Sequence, residues 1–140
     1  MAALACGIDL VEVEKLERML RHRTGLTAAV FTEQERSECM ARKHAWKHFA
    51  EHFAAKEAFL KALGLGFYPA GIASVLREVE VVCGHEKPEL RVRGWLERLS
   101  GRRGFRHWRL ALGETPGYAI AAVVLLPEPD GEGPPWAVSS

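Results

Sequence analysis

The chain has 140 residues, 48% of them hydrophobic and 26% charged, which supports one packed domain and argues against disorder for the chain as a whole. Nineteen basic residues against eighteen acidic leave a formal net charge of +1, so no global field draws nucleic acid or anionic lipid. The longest apolar run, Tyr118–Leu126, is far short of the ~20 residues of a membrane helix. Asp9 interrupts the first apolar run and no basic flank precedes it, which speaks against a signal peptide. Cys6, Cys39 and Cys83 are an odd count with no C-x-x-C, as expected in a reducing compartment. The expectation is a soluble, cytoplasmic domain.

Ala3–Val11 reads as a buried strand that carries one carboxylate, Asp9. A buried carboxylate must be paired, protonated or bound to a cation. From Glu12 the period changes: Val13, Leu16, Met19 and Leu20 form one helical stripe that ends near Arg23. Thr32-Glu33-Gln34-Glu35 is a capping box and predicts a helix through about Met40. Ala45–Leu63 has no Gly or Pro and is the longest predicted helix, stopped by Gly64 and followed by a loop over residues 66–71. Val75–Val82 and Glu89–Arg93 are predicted strands around a turn at 84–88, and Gly94–Ser100 a short helix. Arg106–Leu112 and Tyr118–Leu126 make a second hairpin. Residues 127–140 hold four of the seven prolines and no periodicity, so they read as a Pro/Gly-rich disordered tail after a domain of residues 1–126. The fold class is α+β, with a helical first half whose long central helix packs on a small antiparallel sheet.

Four constellations could carry chemistry. Asp9 on a strand, with Glu57 and Lys61 one turn apart on a helix face, offers two hard oxygen ligands for Mg²⁺ and a cation for a phosphate or leaving oxygen. The same residues also read as a surface Glu–Lys pair and an aspartate satisfied by amides. Small Ala54 and Ala58 leave room beside them for something bulky. Gly64 and Gly66 after the helix resemble no P-loop, and a C-cap explains them. His44, His48 and His52 are spaced i, i+4, i+8, a spacing that can hold zinc, nickel or copper. No Cys or carboxylate completes a zinc spacing, and a solvated face explains them better. Lys87–Arg109 holds eight basic residues against two acids, with Trp95, Phe105 and Trp108 interleaved. It reads as a nucleic-acid surface, a polyanion cradle or a solvated rim.

Gly7-Ile-Asp-Leu-Val-Glu-Val-Glu-Lys-Leu-Glu17 and Phe53-Ala-Ala-Lys-Glu-Ala-Phe-Leu-Lys-Ala-Leu-Gly-Leu-Gly66 resemble the two signature motifs of holo-acyl-carrier-protein synthases, the small phosphopantetheinyl transferases. Phe31-Thr-Glu-Gln-Glu35 is similar to the family's Phe-Thr-x-x-Glu, and residues 84–90 to its Gly-x-x-Lys-Pro-x-Leu. The resemblance runs in order from about Ala5 to Leu126.

It implies a 4′-phosphopantetheinyl transferase-like fold and transfer of 4′-phosphopantetheine from coenzyme A to a serine of an apo acyl carrier protein of fatty-acid or polyketide synthesis. Adenosine 3′,5′-bisphosphate is released. Asp9 and Glu57 match the Mg²⁺ ligands, Glu57 also the base and Lys61 the group at the departing phosphate. Lys61, Gly64, Gly66 and His52 fall in the coenzyme A site, His52 standing where the family has arginine. Lys15, with Arg18 and Arg21, faces the carrier. A homotrimer with the active site between subunits is implied, with no membrane and no nucleic acid as partner. The family's Ser-x-Ser-His is missing: residues 110–115 read Leu-Ala-Leu-Gly-Glu-Thr. A carrier-binding module of weakened catalysis is the competing expectation, and a basic nucleic-acid domain the third.

Overall fold

The computed structural model describes residues 3–65, 73–84 and 86–129. The loop expected at 66–71, His85 within the expected turn, and the tail from Asp130 on lie outside them. The described elements are β1 (Ala5–Glu12), α1 (Val13–His22), α2 (Leu26–Val30), α3 (Glu33–Met40), α4 (Ala45–Ala62), α5 (Ala73–Leu76), β2 (Val79–Cys83), β3 (Pro88–Val92), α6 (Gly94–Arg102), β4 (Phe105–Thr115) and β5 (Tyr118–Pro127). This is the expected α+β arrangement. Three strands form an antiparallel sheet in the order β1-β5-β4, and β2 and β3 form a separate hairpin. Among the described residues no helix is long and apolar enough to cross a membrane.

Helix α4 is the spine because its composition lets the sheet come close. Ala119, Ala121, Val123 and Leu125 alternate along the inner face of β5, and Ala54, Ala55, Ala58, Phe59 and Leu60 cover them from α4; all are buried. Small side chains on both sides shorten the distance between the layers. Gly7 takes this furthest: a Cβ there would lie 2.0 Å from the Ala58 carbonyl oxygen and 2.7 Å from the Ala62 nitrogen. The space expected beside Ala58 for something bulky is therefore filled by β1 itself, and Ala54 is buried in the core.

The end of α4 is closed by backbone geometry. Gly64 has φ +75°, its amide donates to the Lys61 carbonyl at 2.9 Å and the Leu65 amide to the Leu60 carbonyl at 2.8 Å, the paired bonds of a Schellman cap. The capping box of α3 is present as expected: Glu35 N donates to Thr32 Oγ1 at 3.2 Å, and Thr32 N to Glu35 Oε1 at 3.0 Å.

Two local differences from the sequence reading have simple causes. Val75 and Leu76 belong to the short helix α5 rather than to a strand; the valine-rich segment is split, and only Val79–Cys83 pairs with β3. Helix α2 has five residues after Gly25, whose φ is +83°, too few to display a helical period.

Candidate active site

Asp9 reaches the site because β1 alternates. Ala5, Gly7, Asp9 and Val11 turn toward α4, while Cys6, Ile8 and Leu10 turn outward. Pairing of Asp9 with Ala121 on β5 fixes its height along the sheet, and the close approach at Gly7, two residues earlier, fixes its distance from α4. Glu57 and Lys61 stand one helical turn apart on α4. Lys61 Nζ lies 2.5 Å from Asp9 Oδ1, the carboxylate 12% exposed. Asp9 and Glu57 both line a cavity of about 460 Å³, together with Lys15, Leu16 and Met19 of α1 and with Phe53 and Tyr118. Asp9 and Glu57, from different elements, thus meet at one cavity with Glu12, Lys15 and an apolar wall, and Lys61 reaches Asp9 from α4. Such a donor set suits a hard divalent cation and a phosphate-bearing ligand.

Of the other residues expected at the site, Lys15 lines the cavity, and Arg18 is exposed on the same helix. Arg21 is engaged elsewhere: its guanidinium meets Glu17 at 3.1 Å and lies 5.0 Å over the Trp46 ring. Gly64 forms the cap just described, and Gly66 is outside the described residues.

His52 requires a correction. It is 2% exposed, its Nδ1 is 3.2 Å from Glu35 Oε2, and Cys39 and Cys83 lie against the ring. Such a histidine is not presented to a phosphate at the surface; it is a member of the core.

The group it belongs to was not apparent from the sequence. Lys56, 0% exposed, donates to Glu35 Oε1 at 2.7 Å and to the carbonyls of Leu76 at 3.1 Å and Val79 at 2.5 Å. Glu35 also accepts from the Val81 amide at 3.2 Å, so one carboxylate ties α3 to α4 and to β2. Burial alone would raise the Glu35 carboxyl, but the hydrogen bond from His52 and the charge of Lys56 hold it below its ordinary value. Burial alone would lower His52, yet Cys39, Cys83 and Glu35 together push it up to about 11. Burial pushes Lys56 down, against the pull of Glu35. A lysine on the apolar stripe of α4, between Phe49 and Phe59, was the available signal.

The histidine series does not converge. His44 is the exposed N-cap of α4, His48 meets Glu51 at 3.3 Å, and His52 is buried. Among the described residues no group of three His, Cys, Asp or Glu side chains is placed to hold a metal ion. Part of the basic segment 87–109 is committed to structure. Trp108 donates to the Leu90 carbonyl at 2.8 Å and meets Phe59 edge-on at 5.6 Å. Arg91 and Arg93 pair with Glu80, and Arg103 donates to the Leu63 carbonyl.

Residues 5–123 match the 4′-phosphopantetheinyl transferase superfamily. The chain belongs to that superfamily. Within it the chain sides with the holo-acyl-carrier-protein synthases. It is 42% identical over 120 residues to the holo-acyl-carrier-protein synthase of Syntrophotalea carbinolica, covering 84% of this chain and 91% of the relative. Among solved structures, the Bacillus anthracis holo-acyl-carrier-protein synthase in complex with CoA (3′,5′-ADP) superposes with a TM-score of 0.69 at 27% identity, covering 89% of this chain and 97% of the other. The Chronobacterium ammoniagenes ACPS-CoA complex gives 0.73 at 25% identity, covering 91% and 99%. Of the residues that the motif resemblance singled out, Asp9 and Glu57 line one cavity, and Lys61 reaches Asp9.

Proposed function

We propose that this transferase moves 4′-phosphopantetheine from coenzyme A to a serine of an apo acyl carrier protein, with Mg²⁺ held by Asp9 and Glu57. The supporting observation is the meeting of Asp9, from β1, and Glu57, from α4, at the cavity that Lys15 also lines. Two carboxylates are fewer than a full coordination shell, which is how Mg²⁺ is usually held: water and substrate phosphates complete it. The metal, when bound, offsets pyrophosphate charge.

The remaining roles fall to the chain itself. Glu57 takes the proton of the carrier serine, directly or through a water, and Lys61 stabilises the phosphate that departs with adenosine 3′,5′-bisphosphate. In the structure Lys61 is paired with Asp9 at 2.5 Å, so ligand binding must exchange that partner for phosphate oxygens. Gly64 and Gly66 keep the coenzyme A role that the motif resemblance gives them. Lys15 and Arg18 on α1 face the carrier, with Arg21 recruited from Glu17 and Trp46.

The outer face of the sheet supports an assembly. Leu4, Ile8 and Leu10 are 64%, 65% and 59% exposed, and Ile120, Val124 and Leu126 on β5 are only half-buried. Contiguous apolar surface of this kind is covered in stable assemblies. We assign it to subunit contacts of a cytoplasmic homotrimer with the active site near the interface; sedimentation at micromolar concentration tests this, a monomer being the contrary result.

Residues 110–115 favour the second reading, a carrier-binding module with a weakened coenzyme A site, because Gly113 brings no side chain to β4. The two readings separate on one assay. Release of adenosine 3′,5′-bisphosphate that requires the apo carrier and its serine supports transfer; carrier binding without release supports the module.

A further inference from the structure

Cys83 is the last residue of β2 and only half-buried. Its Sγ lies 3.6 Å from His52 Nε2, and the opposite nitrogen, Nδ1, lies 3.2 Å from Glu35 Oε2. Sulfur, imidazole and carboxylate thus stand in line, the order that orients a histidine toward a nucleophile. Glu35 cannot swing away, being fixed by Lys56, the Val81 amide and the Thr32 amide. Cys39 also touches the ring, at 3.8 Å from Nδ1, but it is 1% exposed and out of reach of a reagent.

Cys83 opens on a surface cavity of about 420 Å³ whose other lining residues are Glu38, Ala41, Arg42, Lys43, His44 and His48. Two permanent cations and two histidines outweigh one carboxylate, so anions are favoured there. This ensemble is separate from Asp9, Glu57 and Lys61, and no step of the transfer uses it.

We propose that Cys83 is a thiol-exchange site that forms a mixed disulfide with low-molecular-weight anionic disulfides. The attacking form is the thiolate, and the His52 ring nitrogen 3.6 Å from the sulfur is the group placed to take its proton or offset its charge. The Cys83 sulfur attacks one sulfur of the disulfide, and a Cys83–sulfur bond replaces the sulfur–sulfur bond that breaks. The departing thiolate takes up the proton that the Cys83 thiol gave up, so the reagent is reduced to one thiol as Cys83 is oxidised. A reducing thiol reverses the exchange.

The test uses the full chain with oxidised glutathione at neutral pH, read by intact mass and peptide mapping. One glutathionyl group should appear on Cys83, reverse with dithiothreitol, and form about ten-fold or more faster than on N-acetylcysteine in the same buffer. Iodoacetate should be preferred over iodoacetamide more strongly at Cys83 than at the free thiol. His52→Gln should slow the exchange, and Cys83→Ser should abolish it. An adduct on Cys6 instead, or a Cys83 rate no faster than that of the free thiol, overturns the proposal. The wild-type comparison decides this even if the His52 variant does not fold, and neither outcome depends on transferase activity.

Discussion

Lys61 and Asp9, 52 positions apart in sequence, form an ion pair at 2.5 Å across the β1–α4 contact. The lysine is half exposed while the aspartate is nearly enclosed, so the lysine is the partner free to swing. On the proposed function, this pair is the one that ligand binding has to open.

That relation gives the first expectation. Lys61→Met should leave Asp9 to the cation, so the Mg²⁺ concentration at half-maximal rate should not rise. Turnover should nevertheless fall by roughly 10²-fold, the usual cost of one missing charge at a developing oxyanion. A metal titration of the transfer rate checks both, and a variant with parental turnover contradicts the role given to Lys61.

Gly7→Ala should be more damaging than its size suggests. The added Cβ would sit 2.0 Å from the Ala58 carbonyl oxygen, which is backbone and cannot rotate away. β1 must then retreat from α4, at a cost of about 1–3 kcal/mol or more, and Asp9 moves with it. Thermal unfolding should show a lowered Tm together with weakened transfer. An unchanged Tm is the contrary result.

How much of this was legible in the sequence depends on what each feature needs to reveal itself. Helix α4, the α3 capping box and the β4–β5 hairpin rest on local periodicity, and all three stand where the pattern placed them. Asp9, Glu57 and Lys61 were singled out because two motifs carry them, and the structure brings Asp9 and Glu57 to one cavity. The Glu35–His52–Lys56 group was not, since a helical period tells which residues share a face but not which charged one is enclosed. His52 was assigned to the coenzyme A site because it stands where the family has arginine, and a position in a motif does not report that the side chain is enclosed. Helix α5 escaped because Val75 and Leu76 have the composition of the strand that follows.

Stability should peak in a defined pH range. Glu35 is held below its ordinary 4.5, so its contribution is complete above that value and is lost as pH falls through the lower folded one. His52 is raised from 6.5 to about 11, so its contribution is complete below 6.5 and drains away as pH rises toward 11. Lys56, lowered by burial, runs the other way at the alkaline end. Urea midpoints should therefore be highest between about pH 4.5 and 6.5. Glu35→Gln should lose about 3–5 kcal/mol, as broken buried pairs do, and flatten the acid limb. An acid limb identical to that of the parent rules out Glu35 as its source.

Asp9→Asn and Glu57→Gln are near-isosteric and should keep the fold, judged by circular dichroism, while turnover falls below detection. Parental rates in either variant exclude that carboxylate from the cation site.

The most direct measurement is the intact mass of an apo acyl carrier protein incubated with this protein, coenzyme A and Mg²⁺, with a parallel sample in EDTA. A gain of one phosphopantetheine that disappears with EDTA and returns on adding Mg²⁺ is the expected result. Transfer undiminished by EDTA would contradict the metal role of Asp9 and Glu57, and no gain on any fatty-acid or polyketide carrier would contradict the transfer itself.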